Sequence, residues 1–439
     1  MKRTKRLSTK DIIKKSDLSF LKIKNSSHLT PCKDIIGQKR AINSIILGLE
    51  INKMGYNIYL SGQPGVGKKT IIKSLLFDIA KKKKVPNDWC YVYNFLNPKE
   101  PKAITMAPGR GKTFKKDMEQ FIEILKASIP KTFESKDFED EKIKLADFYN
   151  KKKEDLFTKL REFAKQNDIQ IQFAPTGIVT MPLLNSKPVS HEVFETFDEK
   201  TKAELKGKKD KVDIEVGAIL KETRLIDKEY MEKVNDLENK AALFAVSDLM
   251  ENLKDKYKDL PAIKEYLEQV KNDIVSNIDK FLPVKQPVTF LHSGIPNTGE
   301  SKNPLTEYSV NVIIDNSQTK GAPVIFETQP NYINLFGSIE REVRMGAMVT
   351  DFTLIRDGSI FKANGGYLVV EVLDILKFPF VWDTLKKVIE NGELRVEDAY
   401  QNYGYANIVG MRPEPIKIDI KVIMTGQPHI FHLLETYDI

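Results

Sequence analysis

Gly62-Gln63-Pro64-Gly65-Val66-Gly67-Lys68 is the stretch on which the reading of this chain turns. It follows a short apolar run, Asn57-Ile58-Tyr59-Leu60, and precedes Ile71, Ile72, Leu75, Leu76 and Ile79, which recur at helical spacing. Strand, glycine-rich turn, lysine and helix, in that order, are the context in which backbone N–H groups wrap phosphate and a helix N-terminus adds positive potential. Lys68 is placed to reach the outer phosphates of a nucleotide, and a bare glycine turn would not explain a lysine there. The expected cofactor is ATP or ADP.

The next position departs from the motif. A Ser or Thr directly after the lysine normally ligates Mg²⁺. Here that position is Lys69, and Thr70 follows it. One residue along a helix rotates a side chain by about 100°, so Thr70 faces elsewhere. Lys69 brings a second positive charge to the place a metal would take. Phosphate binding survives such a change more easily than Mg²⁺-assisted hydrolysis does.

Working outward, Cys90-Tyr91-Val92-Tyr93-Asn94-Phe95 reads as the next strand. It would complete a βαβ unit, and so a parallel sheet covered by helices. The continuous apolar runs Tyr367-Leu368-Val369-Val370 and Ile420-Lys421-Val422-Ile423-Met424 fit central strands buried on both faces. Val310-Asn311-Val312-Ile313-Ile314 and Pro323-Val324-Ile325-Phe326 are further strands. Residues 115–282 are mostly charged and helical in pattern. Met118, Phe121, Ile122 and Leu125 mark one helix, and Leu145, Phe148, Leu156, Leu160 and Phe163 a second. Tyr230, Val234, Leu237, Ala241 and Phe244 alternate spacings of four and three, the seam of a coiled coil. Ile169, Ile171 and Phe173 alternate before Pro175-Thr176-Gly177, which predicts a β-hairpin. Residues 283–307, rich in proline and glycine, read as a linker.

Bulk properties narrow the class. The chain has 439 residues, 41% hydrophobic and 30% charged, which suits a globular protein of more than one domain. It has no apolar run of membrane-spanning length, and its basic start lacks the apolar core of a signal peptide. A cytoplasmic protein with no membrane association is expected. Cys32 and Cys90 cannot build a disulfide framework. The net charge of +8 admits nucleic acid as a partner, but lysine on solvent faces accounts for it more simply.

Ile36, Gly37 and Gln38, upstream of the loop, resemble the hydrophobic-Gly-Gln segment that packs on adenine in AAA+ ATPases. The resemblance then becomes specific. Residues 29–36, Gly55-Tyr56-Asn57-Ile58, residues 88–95, residues 332–340, residues 346–350 and Ala363-Asn364-Gly365-Gly366-Tyr367-Leu368-Val369-Val370 are similar to a bacterial branch of Lon-like ATP-dependent serine proteases, related to the B-type enzymes. The similarity runs from about residue 29 to the end. It implies an α/β AAA+ P-loop domain with a parallel sheet, interrupted by a large, mostly helical coiled-coil insertion carrying a small β-hairpin. The implied division is a basic arm at 1–28, the first AAA+ part at 29–111, the insertion at 112–285 and the second AAA+ part at 286–439. The family's lid and Ser-Lys protease domain would lie beyond Ile439, and no such dyad is recognisable here.

The resemblance also implies a second nucleotide motif at residues 367–372, where a hydrolysing enzyme has Asp then Glu after the strand. This chain has Glu371 and Val372. Glu371 is the candidate metal-anchoring carboxylate, one methylene longer than Asp, and Val372 cannot serve as a base. Ile313-Ile314-Asp315-Asn316 is a competing location that also lacks the Glu. Thr425, ending its strand, is the candidate sensor of the γ-phosphate. The nucleotide-binding set is then Ile36, Gly37, Gln38, Gly62, Gln63, Pro64, Gly65, Val66, Gly67, Lys68, Lys69 and Thr70. Tyr332, Leu335 and Phe336 are either substrate-gripping residues or core. His429, His432 and Glu435 share a helical spacing but are too few for a typical metal site. The implied assembly is a homo-oligomeric, hexamer-like ring acting on unfolded protein. The readings open at this point are an ATP-binding module with a degenerate hydrolysis site, a working ATPase subunit whose protease domain lies elsewhere, and a non-enzymatic scaffold or nucleic-acid binder.

Overall fold

The computed structural model describes residues 7–13, 17, 19–21, 25, 27, 37–51, 53, 55–174, 177–184, 187–189, 194, 197–283, 305–344, 347–397 and 410–437. Its central sheet has four parallel strands. These are β1 (Ile58–Ser61), β7 (Val324–Phe326), β8 (Tyr367–Glu371) and β9 (Lys421–Gly426), in the spatial order β1-β9-β8-β7. The two apolar runs expected at the centre are the two central strands. Register places Ser61 beside Gly426 and Glu371 beside Thr425, so the carboxyl ends of three strands align.

The sheet is covered on both faces, which is why its central strands are apolar throughout. Alternate residues Tyr367, Val369 and Ile423 meet α1 (Lys39–Glu50) and α2 (Lys68–Ala80) through Ile45, Leu49, Ile72 and Leu76. Leu368, Val370 and Val422 face the other way, onto Ile360, Phe361 and the α7 (Val381–Asn391) residues Val381 and Leu385. The fold is thus a three-layer α/β domain.

One expectation is overturned. The segment after α2 forms β2 (Asp88–Val92), but it does not join the parallel sheet to complete a βαβ unit. It lies in a separate antiparallel sheet, between β3 (Lys102–Met106) and β6 (Val310–Ile314). Cys90 and Val92 pack into a helical core while Tyr91 packs towards the α/β layer. A strand buried on both faces looks the same in either kind of sheet, so its apolar run could not choose between them.

The helical region has two cores. One joins α3 (Arg110–Phe133), the end of α5 (Glu199–Lys256) and α6 (Pro261–Ser276) to the antiparallel sheet. The other, further out, joins α4 (Lys136–Gln166) and the start of α5 to the predicted hairpin, β4 (Ile169–Ala174) with β5 (Gly177–Leu184). At about 1.5 Å per residue, the 58 residues of α5 extend roughly 87 Å. The expected heptad seam holds at Val234 and then drifts. Phe244 is 80% exposed, and Ala242, Val246 and Met250 are buried instead. They recur every four residues, so the buried stripe leaves the alternating four-and-three spacing of a heptad seam. Phe148 is likewise exposed. Tyr332, Leu335 and Phe336 are buried and belong to the core. Residues 29–36, part of the family resemblance, and nearly all of the linker at 283–307 lie outside the described residues.

Candidate nucleotide site

The loop from Gly62 to Gly67 joins β1 to α2 at the aligned strand ends, the crevice where open α/β sheets bind ligands. Gly65 and Gly67 have φ of 84° and 83°. L-side chains rarely adopt that region, so these two glycines are required by the turn. The Gly62 N–H donates to the Gly426 carbonyl at 3.0 Å, tying the loop to β9. Gln63, Pro64, Gly65, Val66 and Gly67 are exposed. The Lys68 ammonium folds back to donate to the carbonyls of Gly62 and Gln63. A cation held over an exposed turn, at the start of a 13-residue helix, is an arrangement that accepts phosphate.

A second cation stands nearby. Lys69 Nζ stands 3.8 Å from Glu371 Oε2. Thr425 Oγ1 donates to that same oxygen at 2.7 Å. Glu371 and Thr425 lie on the α2 face of the sheet, since they continue the alternation of Tyr367, Val369 and Ile423. The Glu371 carboxylate, the metal anchor that the sequence resemblance implies, therefore already carries an ammonium and a hydroxyl. The Lys69 side chain is 65% exposed, so the pair stabilises the fold by about 0–1 kcal/mol at most. Its consequence is local charge. Thr70 is exposed. Val372 is fully buried at the start of a short helix, Val372–Leu376.

The competing location for the second motif is elsewhere. Asp315 follows β6, in the antiparallel sheet, and Asn316 donates its N–H to Asp88 at 2.8 Å. Gly37 and Gln38 precede α1 with φ of 79° and 55°. No hydrogen bond joins them to the glycine-rich loop among the described residues, and Ile36 lies outside those residues.

Two neighbours escaped the sequence reading. Tyr59 lies beneath the loop, its hydroxyl donating to the Gln427 carbonyl at 3.1 Å and its ring 5.0 Å from that of Phe431. Burial, and then the charge of Glu371, push its phenol up. Glu327 follows β7, with its N–H on the Val369 carbonyl. One of its carboxylate oxygens accepts from the Ser359 hydroxyl and the other from the Gln329 N–H. Both oxygens are engaged, so Glu327 is not a ready replacement for the missing base. A carboxylate directly after an apolar strand was the available signal for it.

Comparison with known proteins agrees with this geometry. Residues 320–439 match the family described as LonB-like, AAA domain, which spans β7, β8 and β9 and so includes Glu371 and Thr425. Residues 88–121 match the Lon-like LonC helical domain and cover β2, β3 and the start of α3. That second match agrees with the pairing of β2 outside the parallel sheet. The glycine-rich loop lies in neither matched segment. No curated protein matches the chain. No helix among the described residues is long and apolar enough to cross a membrane. In these two segments, around the aligned strand ends and at the start of the long helices, the chain is similar to Lon-like AAA+ proteins.

Proposed function

We propose that this chain is the nucleotide-holding AAA+ module of a Lon-like ATP-dependent protease, and that it binds ATP or ADP without turning ATP over at the rate of an active AAA+ enzyme. The observation that supports this reading is the Lys69–Glu371–Thr425 cluster, which sets an ammonium on the carboxylate that ends β8. Gly62 to Gly67 would supply N–H groups to the phosphates, and Lys68 would leave its two carbonyls to meet them. Lys69 would supply one positive charge where a hydrolysing site holds two on a metal. No residue among these is placed to activate water, because Val372 is apolar and buried and Glu327 is engaged. Losing one transition-state stabiliser typically costs about 10²–10³ in rate. Here the metal ligand and the base are altered together.

On this reading the AAA+ parts are residues 29–111 and 286–439, and the helical segment at 112–285 is an arm that meets unfolded protein or partner subunits. The module works in the cytoplasm within a homo-oligomeric ring. Bound nucleotide orders the loop between β1 and α2 and so holds the ring's geometry.

The test is steady phosphate release from Mg²⁺-ATP, with Lys68→Ala as the blank. The reading expects wild type and blank to coincide while wild type alone retains nucleotide. Sustained release by wild type well above the blank would show a working ATPase and overturn it.

A further inference from the structure

The hairpin that packs on the outer helical core belongs to a small sheet whose two edges differ in character. One edge is the two-residue strand Lys187–Pro188, which pairs with β5 at Leu183 and Leu184. It is short, and Pro188 has no N–H to offer, so this edge is poorly suited to another strand. The other edge is β4, Ile169-Gln170-Ile171-Gln172-Phe173-Ala174. It has no charged residue and no proline, and its pairing with β5 runs without a bulge. An edge strand that lacks those devices is a template for a new neighbour.

Bonded and unbonded pairs alternate along an antiparallel ladder, which fixes where the backbone of β4 points. The Leu183 N–H donates to the Asp168 carbonyl at 2.7 Å, and Pro182, opposite Ile169, has no N–H. Gln170 and Gln172 therefore bond to β5, while Ile169, Ile171 and Phe173 turn their N–H and C=O groups outward. Ile169 is only 2% exposed, so its groups are covered. Ile171 is half-buried and Phe173 is 48% exposed. Among the described residues, no other element hydrogen-bonds to the outward groups of these two. The Phe173 ring meets that of Phe157 on α4 edge-on, 5.4 Å between centres, and the Arg161 guanidinium lies 5.3 Å from its centre.

We propose that the β4 edge between Ile171 and Phe173 captures a short extended segment of an unfolded polypeptide as an added strand. Main-chain bonds hold such a segment and alternate side chains set its preference. The side chain that faces α4 would be apolar and would cover the open part of the Phe173 ring. The inference rests on the reading of the helical segment as an arm that meets unfolded protein. A second copy of this chain fits the edge less well. A strand added along two outward residues buries far less than the roughly 1,200 Å² of a stable interface, which suits a transient hold on a client.

The experiment uses the full chain without nucleotide, so its outcome is independent of the site at Glu371. A dye-labelled peptide of alternating valine and threonine, with lysines at its ends for solubility, is titrated by fluorescence anisotropy. The same peptide N-methylated at alternate residues keeps its side chains and loses the main-chain donors along one edge. It is expected to bind about tenfold more weakly, or worse. Ile171→Pro deletes an outward N–H that β5 does not use, and should weaken the unmethylated peptide similarly once thermal unfolding shows the variant folded. Phe173→Ala, at an exposed position, should weaken it in the same direction. Phe244→Ala, an exposed aromatic elsewhere on the arm, should change nothing. The two peptides bound alike, no saturable binding of either, or Phe244→Ala weakening binding as much as Phe173→Ala, overturns the proposal. A dimer in sedimentation that Phe173→Ala abolishes also overturns it, by assigning the edge to a second copy. Reduced, carboxymethylated lactalbumin probes the arm separately. If wild type and Phe173→Ala bind it alike, the arm still meets unfolded protein, but not at β4.

Discussion

Lys69 changes what the candidate site can do more than any other residue. Replacing it with Thr returns a hydroxyl to the metal-ligand position and frees Glu371. The exposed ion pair contributes little, so Lys69→Thr should leave stability within about 1 kcal/mol of wild type. It should also make nucleotide affinity depend on Mg²⁺, as calorimetry can show; affinity indifferent to Mg²⁺ in this variant would mean that Lys69 is not what excludes the metal. Thr425→Val removes the buried hydroxyl that donates to Glu371. A hydrogen bond to a charged group contributes about 1.5–3 kcal/mol, and denaturant unfolding should show a loss of that size. At this scale the sequence was informative about chain-local pattern: Lys68, Lys69, Glu371, Val372 and Thr425 all stand out beside glycines or at strand ends. Tyr59 and Glu327 did not stand out, because their roles depend on which strands become neighbours, and that is fixed by tertiary packing.

Glycine and a buried carboxylate govern how the elements meet. A Cβ on Gly366 would stand 2.1 Å from the Pro323 carbonyl oxygen, at the start of the β7–β8 pairing. Gly366→Ala should therefore separate those strands and destabilise by about 2 kcal/mol or more. Gly207 is the contrasting case. It is exposed inside α5 and a Cβ there meets nothing within 4 Å. Gly207→Ala should stabilise by about 0.5–1 kcal/mol, since alanine gives up less backbone freedom in a helix. Thermal or denaturant unfolding of the two variants should move in opposite directions.

Asp88 links three elements. Its carboxylate accepts from the Gly111 N–H at the start of α3 and from the Asn316 N–H after β6. Burial pushes its carboxyl above the ordinary aspartate value and neighbouring Asp315 adds to this, outweighing the backbone bonds that oppose it. The folded state then binds this proton more tightly than the unfolded state. Its contribution to stability is fully present below the ordinary value and is lost as pH rises through the raised one. A carboxyl NMR titration should find Asp88 above the exposed aspartates; a value at or below theirs would contradict this account. Element types were largely legible from periodicity, including the β4–β5 hairpin and the central strands. The partner of β2 and the seam of α5 were not. A doubly buried strand carries no label for its sheet, and a seam of four-residue steps departs from the heptad only when followed for several turns.

Across the whole molecule, the two family matches and the four-stranded parallel sheet describe a Lon-like AAA+ fold whose long helices rise from a separate antiparallel sheet. On the proposed reading the glycine-rich loop is a phosphate-binding crevice, and the position after its lysine, where a metal-ligating hydroxyl would stand, carries Lys69. The account rests on that exchange. Its most direct test is calorimetric titration of wild-type protein with ATP and ADP, in Mg²⁺ and again in excess chelator. The account predicts saturable binding of both nucleotides, with affinities that the chelator leaves essentially unchanged. Binding that needs Mg²⁺ would contradict it and would mean that Lys69 yields its place at Glu371 to the metal.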